Sequence, residues 1–140
     1  MCIRDSLEDM ASDLSLQNDV IFAGARSQPW IADVLAAAAV VVSPVTGRAL
    51  VEAALSGTPI VAYDYEWQSE LLQSGQNSVL IPYRDVVGLG DAVSGLLEDP
   101  ARAATLGTRA RTSTLQMMDV ERLRQHERDQ YDRILALARR

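Results

Sequence analysis

The chain contains no lysine; all 13 of its basic residues are arginine. That excludes a P-loop lysine, a Schiff-base lysine and any lysine-dependent phosphate clamp within these residues. Cysteine is nearly absent too. The lone Cys2 can form neither an internal disulfide nor a metal cage, so the chain reads as cytosolic. Long apolar runs are missing: the longest, Val34 to Val42, is nine residues, against the roughly 20 that a membrane span needs. Positive charge is in deficit, with 13 basic against 19 acidic residues and a formal net charge of -6. A non-specific nucleic-acid or anionic-membrane binder needs the opposite balance. The one histidine, His126, sits between Gln125 and Glu127 and reads as a solvated residue. There is no Ser-His-Asp order, no metal-ligand cluster and no G-x-G-x-x-G, so a hydrolase or metalloenzyme has no support.

What is present suits a globular domain. The 140 residues are 48% hydrophobic and 23% charged, enough to bury a real core. Residues 1–6, Met-Cys-Ile-Arg-Asp-Ser, follow neither a signal-peptide nor a transit-peptide order. They resemble a vector- or adaptor-derived leader, which would make the chain a fragment whose real beginning lies upstream. The expected organisation is a leader over 1–6, an α/β domain over 7–112 and a helical extension over 113–140.

From Leu7 onward helical and strand patterns alternate. Leu7, Met10, Ala11 and Leu14 recur at helical spacing, and Val20 to Ala23 is a short β-rich run closed by Gly24. Gln28-Pro29-Trp30 opens a helix to about Ala38. Val40-Val41-Val42, stopped by Ser43-Pro44, is apolar throughout, which suits a parallel strand covered on both faces. A helix over Arg48 to Leu55 ends at Ser56-Gly57, and Pro59 to Tyr63 makes the next strand. A helix over Glu66 to Gln73, a Gly75-Gln76-Asn77 turn and a strand over Val79 to Ile81 follow. The remainder reads as helical: Asp85 or Val86 to Glu98, then Pro100 to about Arg111 behind an Asp99 cap, then Val120 to Ala138. Strands separated by helices imply a parallel sheet. The fold class is therefore α/β, Rossmann-like, with a helical C-terminal extension.

In such a sheet ligands bind beyond the carboxyl ends of the strands. That selects the loops 24–27, 43–48, 64–67 and 82–85. The second delivers Thr46-Gly47 to the start of a helix, where free backbone N–H groups favour a phosphate. One turn inside, Glu52 is the only acid on an apolar helix and could accept hydrogen bonds from a ribose diol. The competing reading is structural: Arg48, Glu52 and Ser56 lie at i, i+4 spacing and could be a solvated stripe with a salt bridge. For the third loop, with Asp64, Glu66, Trp67 and Glu70, an N-capped surface helix is the favoured reading.

The strings Val20–Gly24, Ala38–Pro44 and Arg48–Ala62, continued through Glu70–Leu72, Gly75–Asn77, Leu80–Pro82, Leu96–Pro100 and Leu106–Arg111, resemble one family. It is the group 1 (family 4, glycogen-synthase-like) retaining glycosyltransferases with two Rossmann domains (GT-B). The Glu-Ala-x-x-x-Gly-x-Pro-Ile-Val-Ala core from Glu52 carries most of the likeness, which spans about Leu7 to Leu137. The resemblance implies a nucleotide-sugar donor, no metal or other cofactor, no nucleic acid, and an N-terminal acceptor-binding domain outside this chain. It also allows peripheral membrane association of the intact enzyme. By position, Glu52 matches the glutamate that binds the donor ribose. Thr46, Gly47, Arg48, Ala49 and Leu50 match the loop and helix start that hold the diphosphate, and Gly24 and Arg26 the loop beside the base. The glutamate that touches the donor sugar would fall eight positions before Glu52, where this chain has Pro44. The resemblance assigns acid–base groups to the absent domain, so no catalytic residue is identified and the chain alone is expected to be inactive. Two other readings stay open: a sugar-nucleotide epimerase of the same architecture, and a non-catalytic α/β interaction module.

Overall fold

The computed structural model describes residues 3–138. They fall into two compact units, one ending at Ile31 and the other beginning at Ala32.

In the first unit, helix α1 spans Ile3–Asp13 and buries Ala11. The chain turns at Ser15, where φ is 58°, and the N–H of Val20 closes the turn on the Leu16 carbonyl at 3.0 Å. Residues 20–23, expected as a strand, form no ladder, and Ile21 is 88% exposed. Valine, isoleucine and phenylalanine favour a strand only where a neighbouring strand accepts and donates their backbone hydrogen bonds. Among the described residues none pairs with this segment. Gly24 follows with φ 68°. Helix α2, Gln28–Ala37, opens with Pro29 in its first turn, as the sequence suggests, and runs on into the second unit.

The second unit is built on a three-stranded parallel sheet in sequential order: β1 (Val41–Ser43), β2 (Ile60–Asp64) and β3 (Val79–Pro82). Val41 pairs with Ile60, and Val61 with Val79. Alternate side chains of β2 feed two cores. Ile60 and Ala62 pack with Leu50, Ala53 and Ala54 of helix α3 (Arg48–Ser56) and with Leu71 and Leu72. On the other face Val61 packs with Leu96 of helix α5 (Val86–Glu98) and with Ala103 and Leu106 of helix α6 (Pro100–Met117). Helix α6 serves both cores, because Ala110 belongs to the first. Between its two contact zones lies Gly107, against the Gly57–Pro59 backbone that leads into β2.

Helix ends follow the local chemistry. Gly57 caps α3 in the left-handed region with φ 83°. Asp85 accepts a hydrogen bond from the Gly88 N–H, and Asp99 one from the Arg102 N–H with Pro100 in the first turn. Two helices depart from expectation. The one expected over Glu66 to Gln73 is a single turn, α4 (Gln68–Leu71). Glu66 has φ 52° and cannot continue a right-handed helix. Helix α6 runs past Arg111 to Met117, because Ala110 and Thr114 extend its buried stripe by one more turn. Helix α7, Val120–Ala138, has no buried residue among those described. No described helix is long and apolar enough to cross a membrane.

Candidate functional site at the carboxyl edge of the sheet

Parallel strands deliver their following loops to one edge, so the segments after β1, β2 and β3 gather beyond Ser43, Asp64 and Pro82. Helix α3 starts there. Gly47 precedes it with φ 134° and ψ -173°, a backbone open to glycine and strained for other residues, and no side chain caps the helix. The first N–H groups of a helix have no intrahelical partner. Leu50 is the exception at this start, because its N–H donates to the Gly47 carbonyl at 3.1 Å. Its side chain is fully buried in the core. Arg48 and Ala49 are exposed, whereas Thr46 and Gly47 are half-buried.

Thr46 could have capped α3 but does not. Its hydroxyl donates instead to a carboxylate oxygen of Glu66, on the loop after β2. The same two loops are joined a second time in the interior. Gln68, fully buried, donates from Nε2 to the Ser43 carbonyl at 3.2 Å, and its Oε1 has no partner. Glu52 lies one turn into α3 with its side chain 25% exposed. Arg48 donates from Nε to Glu52 Oε1 at 2.7 Å, so the expected i, i+4 ion pair is made. Ser56 does not join that stripe. Its hydroxyl turns back to the Ala53 carbonyl at 2.6 Å and accepts from the Thr58 N–H.

The loop after β3 adds aromatic surface. Tyr83 stacks on Tyr65 with ring centroids 4.2 Å apart and meets Tyr63 edge-on at 5.8 Å. The Arg84 guanidinium lies 5.2 Å from the Tyr83 ring, and Arg84 itself has φ 69°. Gly24 and Arg26 belong to the first unit, where the Arg26 guanidinium lies over Trp30 at 5.3 Å.

Residues 3–99 match the family model described as Glycosyl transferases group 1. The chain belongs to that family. D-inositol 3-phosphate glycosyltransferase 1 of Catenulispora acidiphila is 31% identical over 106 residues, which cover 73% of this chain and 25% of that protein. The glycogen synthase of Mycobacterium tuberculosis is 40% identical over 65 residues, 46% of this chain and 16% of that protein. Among solved structures, Anabaena Alr3699/HepE in complex with UDP-glucose superposes with a TM-score of 0.80 at 28% identity, covering 91% of this chain and 36% of that one. Sucrose-phosphate synthase from Thermosynechococcus elongatus gives 0.82 at 26% identity, covering 96% and 35%. The chain thus spans about a quarter of the first curated relative's length. Its parallel-sheet α/β architecture is that of the C-terminal domain of GT-B glycosyltransferases.

In this group 1 glycosyltransferase chain the structure brings Thr46, Gly47, Arg48, Ala49 and Glu52 to one sheet edge, with Leu50 behind them in the core. Sequence reasoning placed the loops that carry Glu66 and Tyr83 at this edge but named neither as a site residue, and it missed Gln68. Glu66 and Gln68 were assigned to an ordinary surface helix, and only the left-handed backbone at Glu66 turns its carboxylate back to Thr46.

Proposed function

We propose that this chain forms the nucleotide-sugar-binding part of a retaining glycosyltransferase, which moves a sugar from a nucleoside diphosphate sugar to an acceptor. One observation carries the reading: an uncapped helix start at the carboxyl edge of a parallel sheet, with the half-buried carboxylate of Glu52 one turn inside. It stands in a chain that superposes on a protein solved with UDP-glucose.

The chemistry follows from the parts. The amides of Gly47, Arg48 and Ala49 and the dipole of α3 favour a diphosphate at the helix start. The same groups stabilise the charge that grows on the diphosphate as the sugar–phosphate bond breaks. Glu52 has a second carboxylate oxygen beyond the one bonded to Arg48, and it accepts the hydroxyls of the nucleotide ribose. The acceptor and the proton transfers belong to an N-terminal acceptor-binding domain of the intact enzyme, and the proposal calls on no metal. A cytoplasmic location rests on the single cysteine, a composition that suits a reducing compartment.

A thermal-shift panel of UDP, GDP and ADP sugars tests the reading directly, since a ligand bound to the native state raises the melting temperature. Glu52→Ala is expected to weaken the stabilising nucleotide by about 1.5–3 kcal/mol, the scale for a hydrogen bond to a charged group. Stability should barely change, because an exposed i, i+4 pair contributes only about 0.3–0.5 kcal/mol. Unchanged affinity with lost stability would assign Glu52 to the fold alone.

A further inference from the structure

We propose that Glu66 is the residue that recognises the hexose of the donor, by accepting hydrogen bonds from its hydroxyls, and that Thr46 holds it in place for that role. The inference rests on the donor-site reading above and extends it from the nucleotide to the sugar.

Three observations meet at Glu66. Glu66 is exposed and one of its carboxylate oxygens accepts from the Thr46 hydroxyl, which leaves acceptor capacity on the other oxygen. Thr46 directly precedes Gly47 and the helix start, so the fixed carboxylate lies beside the place where a diphosphate would sit. The backbone at Glu66 is left-handed, an arrangement that costs about 1–3 kcal/mol for a residue with a side chain and persists only where the surroundings over-determine it. Here the surroundings are visible: buried Gln68, two residues on, ties the same loop to the Ser43 carbonyl.

Charge decides what such a carboxylate can recognise. An anion beside an anion-binding helix start repels a bare phosphate but attracts neutral hydroxyl donors. A ligand that satisfies both must carry a diphosphate at one end and a polyol immediately next to it. A nucleoside diphosphate sugar has that order, and a nucleoside diphosphate has only the first half. Glu52 does not supply the second half, because in the donor-site reading above its remaining oxygen is given to the ribose, on the other side of the diphosphate.

The experiment compares the full chain with Glu66→Gln and Glu66→Gly by calorimetric titration, using UDP, GDP and ADP and their glucose conjugates as probes. Both variants are expected to lose roughly tenfold or more in affinity for the nucleotide sugar, the scale of a hydrogen bond to a charged acceptor. Affinity for the matching nucleoside diphosphate should hold within about twofold or rise as the nearby negative charge is removed. Glu66→Gly also relieves the left-handed strain, so its melting temperature should match or exceed that of the parent. A residue that only braces the loop would show the reverse, with lower melting and intact sugar selectivity. Thr46→Val, which frees the carboxylate, should reproduce the loss for the sugar in weaker form. Equal loss for nucleotide and nucleotide sugar, or no loss for either, overturns the assignment of Glu66 and leaves the donor site standing. If the parent chain binds none of the probes, the donor-site reading falls and this one with it.

Discussion

A methyl group at position 107 would stand 2.0 Å from the carbonyl oxygen of Gly57 and 3.0 Å from the nitrogen of Pro59. Both are backbone atoms at the entrance to β2, so no side chain can swing aside to make room. Helix propensity acts the other way, since alanine is favoured over glycine in a helix interior by about 1 kcal/mol. Overpacking against fixed atoms costs about 1–3 kcal/mol and sometimes more, and an approach this close belongs at the upper end. Gly107→Ala is therefore expected to destabilise the chain by about 2 kcal/mol or more in urea unfolding. Gly90→Ala and Gly95→Ala in α5 are the controls, because nothing lies within 4 Å of the added methyl at either. They should be neutral or stabilising by up to about 1 kcal/mol. The same sign at all three positions would mean that α6 does not ride on the turn into β2.

Helix α6 also shows what a short stretch of sequence can specify. Asp99 followed by Pro100 is a cap and a first-turn proline, and both act within four residues, as the Asp99–Arg102 bond at 3.0 Å shows. Asp99→Ala should cost about 1 kcal/mol and Asp99→Asn much less, measured by chemical unfolding. A loss in Asp99→Asn equal to that in Asp99→Ala would point to charge and not to the hydrogen bond. The end of α3 was legible for the same reason, through Gly57. Elements whose fate depends on distant partners were not. Residues 20–23 have the composition of a strand, yet a strand exists only where another supplies its hydrogen bonds. The segment 66–73 has helical composition, but its first residue is held left-handed, and the helix shrinks to four residues.

At the scale of the whole molecule, the site divides along the same line. The placement of Thr46, Gly47 and Glu52 at the carboxyl edge was readable, because a parallel α/β sheet delivers its following loops there. The contact between Thr46 and Glu66 joins residues 20 apart in the chain, and no spacing rule reaches that far. The stacking of Tyr65 on Tyr83 is hidden for the same reason.

Helix α7 belongs to neither core cluster, and its apolar residues Leu123, Tyr131, Ile134 and Leu137 are all more than half exposed. What holds it is a capped start, with Asp119 accepting from the Glu121 and Arg122 N–H groups, and weak surface ion pairs such as Arg124–Glu121 at 3.9 Å. Removing residues 119–140 should therefore leave the melting temperature of the rest within about 2 °C, less than the shift expected for 1 kcal/mol in a chain of this size. The exposed stripe has a second consequence. Contiguous apolar surface of this kind drives association, so the full chain should gain apparent mass with concentration in sedimentation equilibrium and the shortened chain should not. A fall of many degrees on truncation would show that α7 carries core energy, and an unchanged tendency to associate would place the sticky surface elsewhere on the sheet unit. Only the combination of unchanged melting and lost association fits a helix that is ordered by its own caps and charges while its apolar residues stay more than half exposed.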